Sequence, residues 1–159
     1  MQDEPVFRLA CRQDALDLAV FRRRMFEDMA KDEGKAVDPQ ELALMEAIFV
    51  QHVLARLDGE ELIAWVVEVD GRLVSSAALS ILPTIPAPGR LDMRWVLLHN
   101  VYTLPDYRGR GFARNLVEMA IAWCKEQGFR SLALNASAAG RPIYASLGFQ
   151  PTNQMVLKF

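Results

Sequence analysis

Apolar and polar positions along this chain recur in two periods, and the switches between them mark out its elements. Val6 to Ala10 is short and partly alternating, which predicts a strand. After Asp14 the apolar residues Leu16, Leu18, Phe21, Met25, Phe26 and Met29 fall at helical spacing, so a helix follows. Asp38-Pro39 with Glu41 supplies a cap, a first-turn proline and a first-turn acid, and Leu42, Met45, Phe49 and Val53 carry the period on. This second helix is predicted to end near Asp58-Gly59. Leu62 to Val69 and Arg72 to Ile81 read as strands joined by Asp70-Gly71, a strong hairpin signal, and form an antiparallel pair. Leu82 to Arg90, with Pro83, Pro86, Pro88 and Gly89, predicts a loop, and Met93 to Leu104 another strand.

Beyond Gly111 an amphipathic helix carries Phe112, Leu116, Met119, Ala120 and Trp123 on one face and closes at Gly128. Ser131 to Asn135 predicts a short strand, and Ala136 to Gly140 turns into a short helix bearing Pro142 and Tyr144 and ending at Gly148. Met155 to Phe159 is expected to close the sheet as a last strand. The order strand, two helices, three strands, helix, strand, helix, strand predicts an α/β fold: a mixed sheet with helices on both faces.

Composition narrows the function classes. A chain of 159 residues, 52% hydrophobic and 24% charged, suits one globular domain spanning residues 1–159. A net charge of −2 argues against nucleic acid as the main partner, because phosphate-backbone binding needs a basic face. No basic stretch with an apolar core opens the chain and no run of eighteen apolar residues occurs, so a cytoplasmic protein with no membrane partner is expected. Cys11 and Cys124 have no metal-type spacing and are expected as two reduced, buried thiols, and no metal is expected.

The chemistry concentrates in Val101 to Ala113, where a strand runs through Pro105 into a turn on a helix N-terminus. Gly109 and Gly111 let the backbone approach a ligand, while first-turn N–H groups and the helix dipole favour an anion. Arg108, Arg110 and Arg114 crowd three cations at the dipole's positive end, an arrangement that an anion would relieve. The turn is not a P-loop, since Phe112-Ala113 stands where Lys-Ser or Lys-Thr is needed. As a dinucleotide fingerprint it is weak, with Arg114 at the third small position.

The order Arg-x-x-Gly-x-Ala over Arg108 to Ala113, followed some thirty residues later by Tyr144-Ala-Ser-Leu-Gly-Phe149, resembles the GNAT superfamily of acyl-CoA-dependent N-acetyltransferases. The resemblance is firm from Leu97 to Phe149 and rests on pattern elsewhere. It implies a central mixed, mostly antiparallel sheet flanked by helices on both faces, and acetyl-CoA as cosubstrate. By similarity, Arg108, Gly109, Arg110, Gly111, Phe112 and Ala113 bind the cofactor's pyrophosphate. Backbone groups of Val101 and Thr103 pair with its pantetheine arm, a backbone N–H near Thr103 polarises the thioester, and Asn135, with Ser137, reaches the cofactor.

Tyr144 is the candidate acid, because a phenol with an ordinary pKa of about 10 can protonate a thiolate and stay protonated at neutral pH. Without the Leu-Gly-Phe context a core tyrosine would be the better reading. For the base, Glu27, Asp28, Glu68, His99 and a water chain all stand open. Glu27 is favoured, since it sits in an acidic helix end that lines the acceptor pocket in similar proteins; a solvated helix end is equally consistent with those residues.

These readings lead to an acetyltransferase acting by direct attack of a primary amine, the acceptor being a small molecule or a peptide. The resemblance also carries the expectation of a homodimer. The alternatives are a non-catalytic acyl-CoA-binding regulatory domain and a nucleotide-binding protein of unrelated fold.

Overall fold

A computed structural model describes residues 4–159. Five strands form one sheet in the order β1 (Val6–Leu9), β2 (Leu62–Val69), β3 (Arg72–Pro83), β4 (Arg94–Thr103) and β5 (Ala133–Leu134). The first four pair antiparallel and β5 pairs parallel with β4, so the sheet is mixed and mostly antiparallel. Four helices accompany it: α1 (Ala15–Asp32), α2 (Pro39–Arg56), α3 (Phe112–Glu126) and α4 (Arg141–Ser146).

The local signals act as their chemistry dictates. Asp38 accepts from the Gln40 amide at 2.9 Å and starts α2 with Pro39 behind it. Asp70 and Gly71 both take positive φ, 51° and 73°, the conformation of a two-residue hairpin turn whose twist matches its strands.

Strand register shows which face each helix covers. Trp65 on β2 lies opposite Ala77, while the next β3 residue, Ser76, lies opposite Tyr102 on β4, so Trp65 and Tyr102 point to opposite faces. Trp65 packs edge-on against Trp123 of α3, and Tyr102 packs on Phe21 of α1. Between these layers β2 and β3 are buried almost throughout, with Val66, Val67, Val74, Ala77 and Leu79 fully enclosed.

One irregularity in the sheet positions the site. Ser76 pairs with Tyr102 but Ala78 pairs with His99, so β4 carries one residue more than β3, and Asn100 within that bulge has φ +55°. A bulge disturbs the hydrogen-bond ladder, and two buried serines of β3 repair it. Ser76 donates to the Asn100 carbonyl at 2.8 Å and Ser75 to the Tyr102 carbonyl at 2.9 Å. The buried Asn100 amide donates to the Leu18 carbonyl at 3.1 Å and fastens the bulge to α1. Because of the extra residue, His99 and Tyr102 both face α1 and α2. Pairing of β4 with β5 is confined to Leu97–Ala133 and Leu98–Leu134, which leaves the β4 edge without a strand partner from the bulge to Thr103.

Three expectations are corrected. Met155 to Phe159 forms no strand; Met155, Val156, Leu157 and Phe159 are all exposed, because an extended segment becomes a strand only beside an edge that takes up its backbone groups. Cys11 is exposed beside a short 3-10 turn at Arg12–Asp14, while Cys124 is buried, its thiol pushed up to about 11 by desolvation. The third concerns Leu82 and Pro83, which extend β3 by two residues; Pro83 is tolerated because it is the last residue of the strand.

Candidate active site

Two cavities meet at the open edge of β4. The first, of about 530 Å³, lies between the C-terminal half of α1, the turn before α3 and the start of α4. Val101 and Thr103 of β4 line it together with Arg108, Gly109, Gly111 and Ala113. Gly109 and Gly111 have φ +75° and +82°, which a residue with a Cβ adopts only under strain, and nothing stands within 4 Å of where a Cβ would be. Gly111 is the N-cap of α3, so the first-turn amides of that helix begin here. The space in front of these glycines is open, and helix first-turn amides of this kind favour an anion.

The three arginines divide their work. Arg108 folds back onto the strand: it donates to the Thr103 carbonyl at 3.0 Å and pairs with Asp28 of α1 at 2.6 Å, which raises its pKa further. Asp28 also accepts from the Tyr102 hydroxyl at 3.4 Å. Arg108 thus holds the end of β4, the turn and α1 in register. Arg114 pairs with Glu118 at 3.1 Å and donates to Ser146 of α4 at 2.8 Å, on the wall of the cavity. Arg110 lies over the Tyr107 ring and is not part of that wall.

The second cavity, of about 560 Å³, lies between α1, α2 and the β4 face below the bulge. Arg22, Met25, Phe26 and Met29 of α1 face Met45, Ile48, Phe49 and His52 of α2 across it. Both sets have the spacing of one helix face, i, i+3, i+4 and i+7. His99 forms part of the floor; its Nε2 lies 2.7 Å from the Ser80 hydroxyl. Burial, with some repulsion from Arg22, depresses the His99 pKa to about 4, so this imidazole is neutral at pH 7. His52 is shifted the same way by burial and by Arg56 and Arg22.

Met25, Met29, Val101, Ser137 and Tyr144 line both cavities. Tyr144 is therefore at the junction. Its ring packs edge-on to Phe149, its pKa is raised by burial, and its hydroxyl has no hydrogen-bond partner among the described residues. Ser137 accepts from the Gly140 amide at 3.1 Å and so sets the turn that starts α4 and aims Tyr144.

Most of the residues expected from sequence come together here, namely Val101, Thr103, Arg108, Gly109, Gly111, Phe112, Ala113 and Tyr144. Asn135 lines the second cavity instead of the first. Glu27 is not brought to either: it is exposed, pairs with Arg23 at 3.5 Å and lines a separate depression with Lys31 and Lys35. Its neighbour Asp28 faces the first cavity in its stead, one position being enough to turn a side chain by 100° around a helix. Arg22 and His52 were missed, although a charged or titratable residue within an apolar helical stripe was the signal that marks them.

No described helix is long and apolar enough to cross a membrane, and the described residues contain no group of three or more His, Cys, Asp or Glu side chains that could hold a metal ion.

Comparison with known proteins agrees with this architecture. The acetyltransferase (GNAT) family pattern matches residues 22–149, so the chain belongs to the GNAT family of acyltransferases. A GCN5-related N-acetyltransferase from Ralstonia eutropha JMP134 superposes with a TM-score of 0.87 at 27% identity, over 98% of this chain and 99% of that one. A predicted acetyltransferase from Clostridium acetobutylicum, solved with acetyl-CoA, gives 0.83 at 25% identity over 98% and 96%. An aminoglycoside N(6')-acetyltransferase type 1 of Acinetobacter genomosp. 13 is 39% identical over 62 residues, 37% of this chain and 42% of that protein. The chain spans about half the length of the curated relatives it matches.

Proposed function

We propose that this protein moves an acetyl group from acetyl-CoA to a primary amine of a small molecule by direct attack, with Tyr144 as the acid. The observation that carries the reading is the position of Tyr144 between the two cavities. A thioester entering from one side and an amine from the other would meet there.

In this reading the pyrophosphate lies on the backbone amides of residues 109–113 and the pantetheine arm follows Val101 and Thr103. The Clostridium acetobutylicum neighbour, which carries acetyl-CoA, supports that cosubstrate. The neutral amine attacks the thioester carbonyl, the C–N bond forms and the C–S bond breaks. The phenol gives its proton to the departing thiolate, and the proton shed by the amide nitrogen returns to the phenolate through water. Burial raises the phenol's pKa, but the same surroundings disfavour the thiolate, so the transfer stays matched. Glu27 has no part in this reading, and no carboxylate among the described residues lines the second cavity. His99 does line it, but burial depresses its pKa to about 4 and makes it a weak proton acceptor, so in this reading the amine arrives neutral or loses its proton to water.

A homodimer belongs to the same reading. The apolar segment Met155 to Phe159 is exposed on a single chain, and among the described residues β5 is an edge strand with no neighbour beyond it. Pairing of that segment with β5 of a second copy would cover both.

The test is thiol release from acetyl-CoA with pools of small amines and, separately, peptides. Release that depends on a small-amine pool supports the reading. Binding of acetyl-CoA without release from any pool would favour the regulatory domain.

A further inference from the structure

The second cavity carries information about the acceptor. Its lining includes Arg22, His52 and His99 but, among the described residues, no aspartate or glutamate. Arg22 is half-buried, lies over the rings of Phe26 and Phe49 at 5.2 and 5.0 Å, and has no ion-pair partner among the described residues. Asp28 and Asp32 of α1, with Glu33 at its C-cap, face the other cavity, and Asp28 is already held by Arg108. A guanidinium drawn partly out of water with no counter-ion is costly, and an arriving carboxylate offers it two parallel hydrogen bonds.

The rest of the wall is apolar and adaptable. Met25, Met29 and Met45 are unbranched and polarisable and fit irregular aliphatic or aromatic bodies, and Ile48 extends the apolar surface to the exposed rim. A volume of about 560 Å³ does not by itself exclude a larger sugar-based amine. Charge disfavours it: a polycation seated in this cavity would meet Arg22 and find no carboxylate among the described lining residues to receive its other ammonium groups.

Resting on the acetyl-transfer reading above, we propose that the acceptor is a small primary amine that also bears a carboxylate on an apolar or aromatic body, with the carboxylate on Arg22 and the amine toward Tyr144. The polycationic substrate suggested by the name of the Acinetobacter relative is not what this cavity fits.

The experiment compares thiol release for matched amines with and without a carboxylate: phenylalanine against 2-phenylethylamine, and 4-(aminomethyl)benzoate against benzylamine, with tobramycin as the polycation. In at least one pair the carboxylate member should have kcat/KM at least tenfold higher. That advantage should fall below threefold in Arg22→Gln and return in part in Arg22→Lys, with thermal melting checking that both variants are folded. Higher kcat/KM for tobramycin or for the plain amines, or an advantage that Arg22→Gln leaves intact, overturns the proposal while acetyl transfer itself stands. Should no amine release thiol, the transfer reading is the one in question, and the cavity is tested by binding. N-acetylphenylalanine should then bind the CoA-loaded protein at least tenfold tighter than N-acetyl-2-phenylethylamine, and Arg22→Gln should remove the difference. Equal affinities, or no binding of either, overturn the proposal.

Discussion

The ring of Tyr144 rests on the bare Cα of Gly140, so closely that a Cβ there would stand 2.8 Å from the tyrosine Cε2. Gly140 has φ −81°, which any residue can adopt, so this glycine is needed for the space it leaves and not for its backbone freedom. Gly140→Ala should therefore displace the phenol while leaving the fold intact. The expected outcome is a kcat at least tenfold lower with the KM for acetyl-CoA changed less than threefold, measured by steady-state thiol release.

Gly111 is needed for the opposite reason: its φ of +82° is left-handed and its Cβ direction is open. Gly111→Asp should strain the turn and put a carboxylate where the pyrophosphate is proposed to lie. Calorimetry should show CoA affinity reduced at least a hundredfold, with the helical circular dichroism signal preserved. Unchanged affinity would remove the cofactor assignment from this turn.

The pH dependence of stability should carry the mark of His99. Its pKa falls from 6.5 to about 4 on folding, so the unfolded chain takes up the proton first as pH drops. Stability from this residue is complete above about pH 6.5 and is lost as pH falls toward 4. The full loss is on the order of 3 kcal/mol. Urea unfolding between pH 7 and 4 should show a shallower decline in His99→Gln than in the natural chain; parallel curves would mean that His99 does not titrate in this way.

The pH dependence of the reaction should follow the acceptor. With no carboxylate among the described residues of the second cavity and His99 a weak base there, kcat/KM should rise about tenfold per pH unit up to the pKa of the amine and shift when an amine of different pKa is used. A plateau fixed near one pH for all amines would reveal a base in the enzyme.

Removing residues 151–159 should convert a dimer to a monomer in sedimentation experiments, since the exposed apolar segment is the proposed cover for β5. A dimer that survives the truncation would place the interface elsewhere.

Much of this was legible in the chain because local chemistry decided it. Asp70-Gly71, Asp38-Pro39 and the pair Gly109 and Gly111 each carry a local backbone preference that the fold keeps. The bulge at Asn100 was not legible, because its signature is two serines in a neighbouring strand, Ser75 and Ser76, whose role exists only once the strands are paired. The displacement of Glu27 from the site is a matter of one residue's rotation on α1, finer than helical periodicity resolves when acids stand side by side. Arg22 was readable in principle as a cation inside an apolar stripe, but its meaning came from α2, which brings a second stripe against it.

The most direct test of the account is kcat for Tyr144→Phe at saturating acetyl-CoA and amine, with cofactor affinity measured beside it. With Tyr144 as the acid, kcat should fall at least a hundredfold with CoA affinity within threefold of the natural chain. A kcat that holds would make Tyr144 a packing residue and contradict its assignment as the acid.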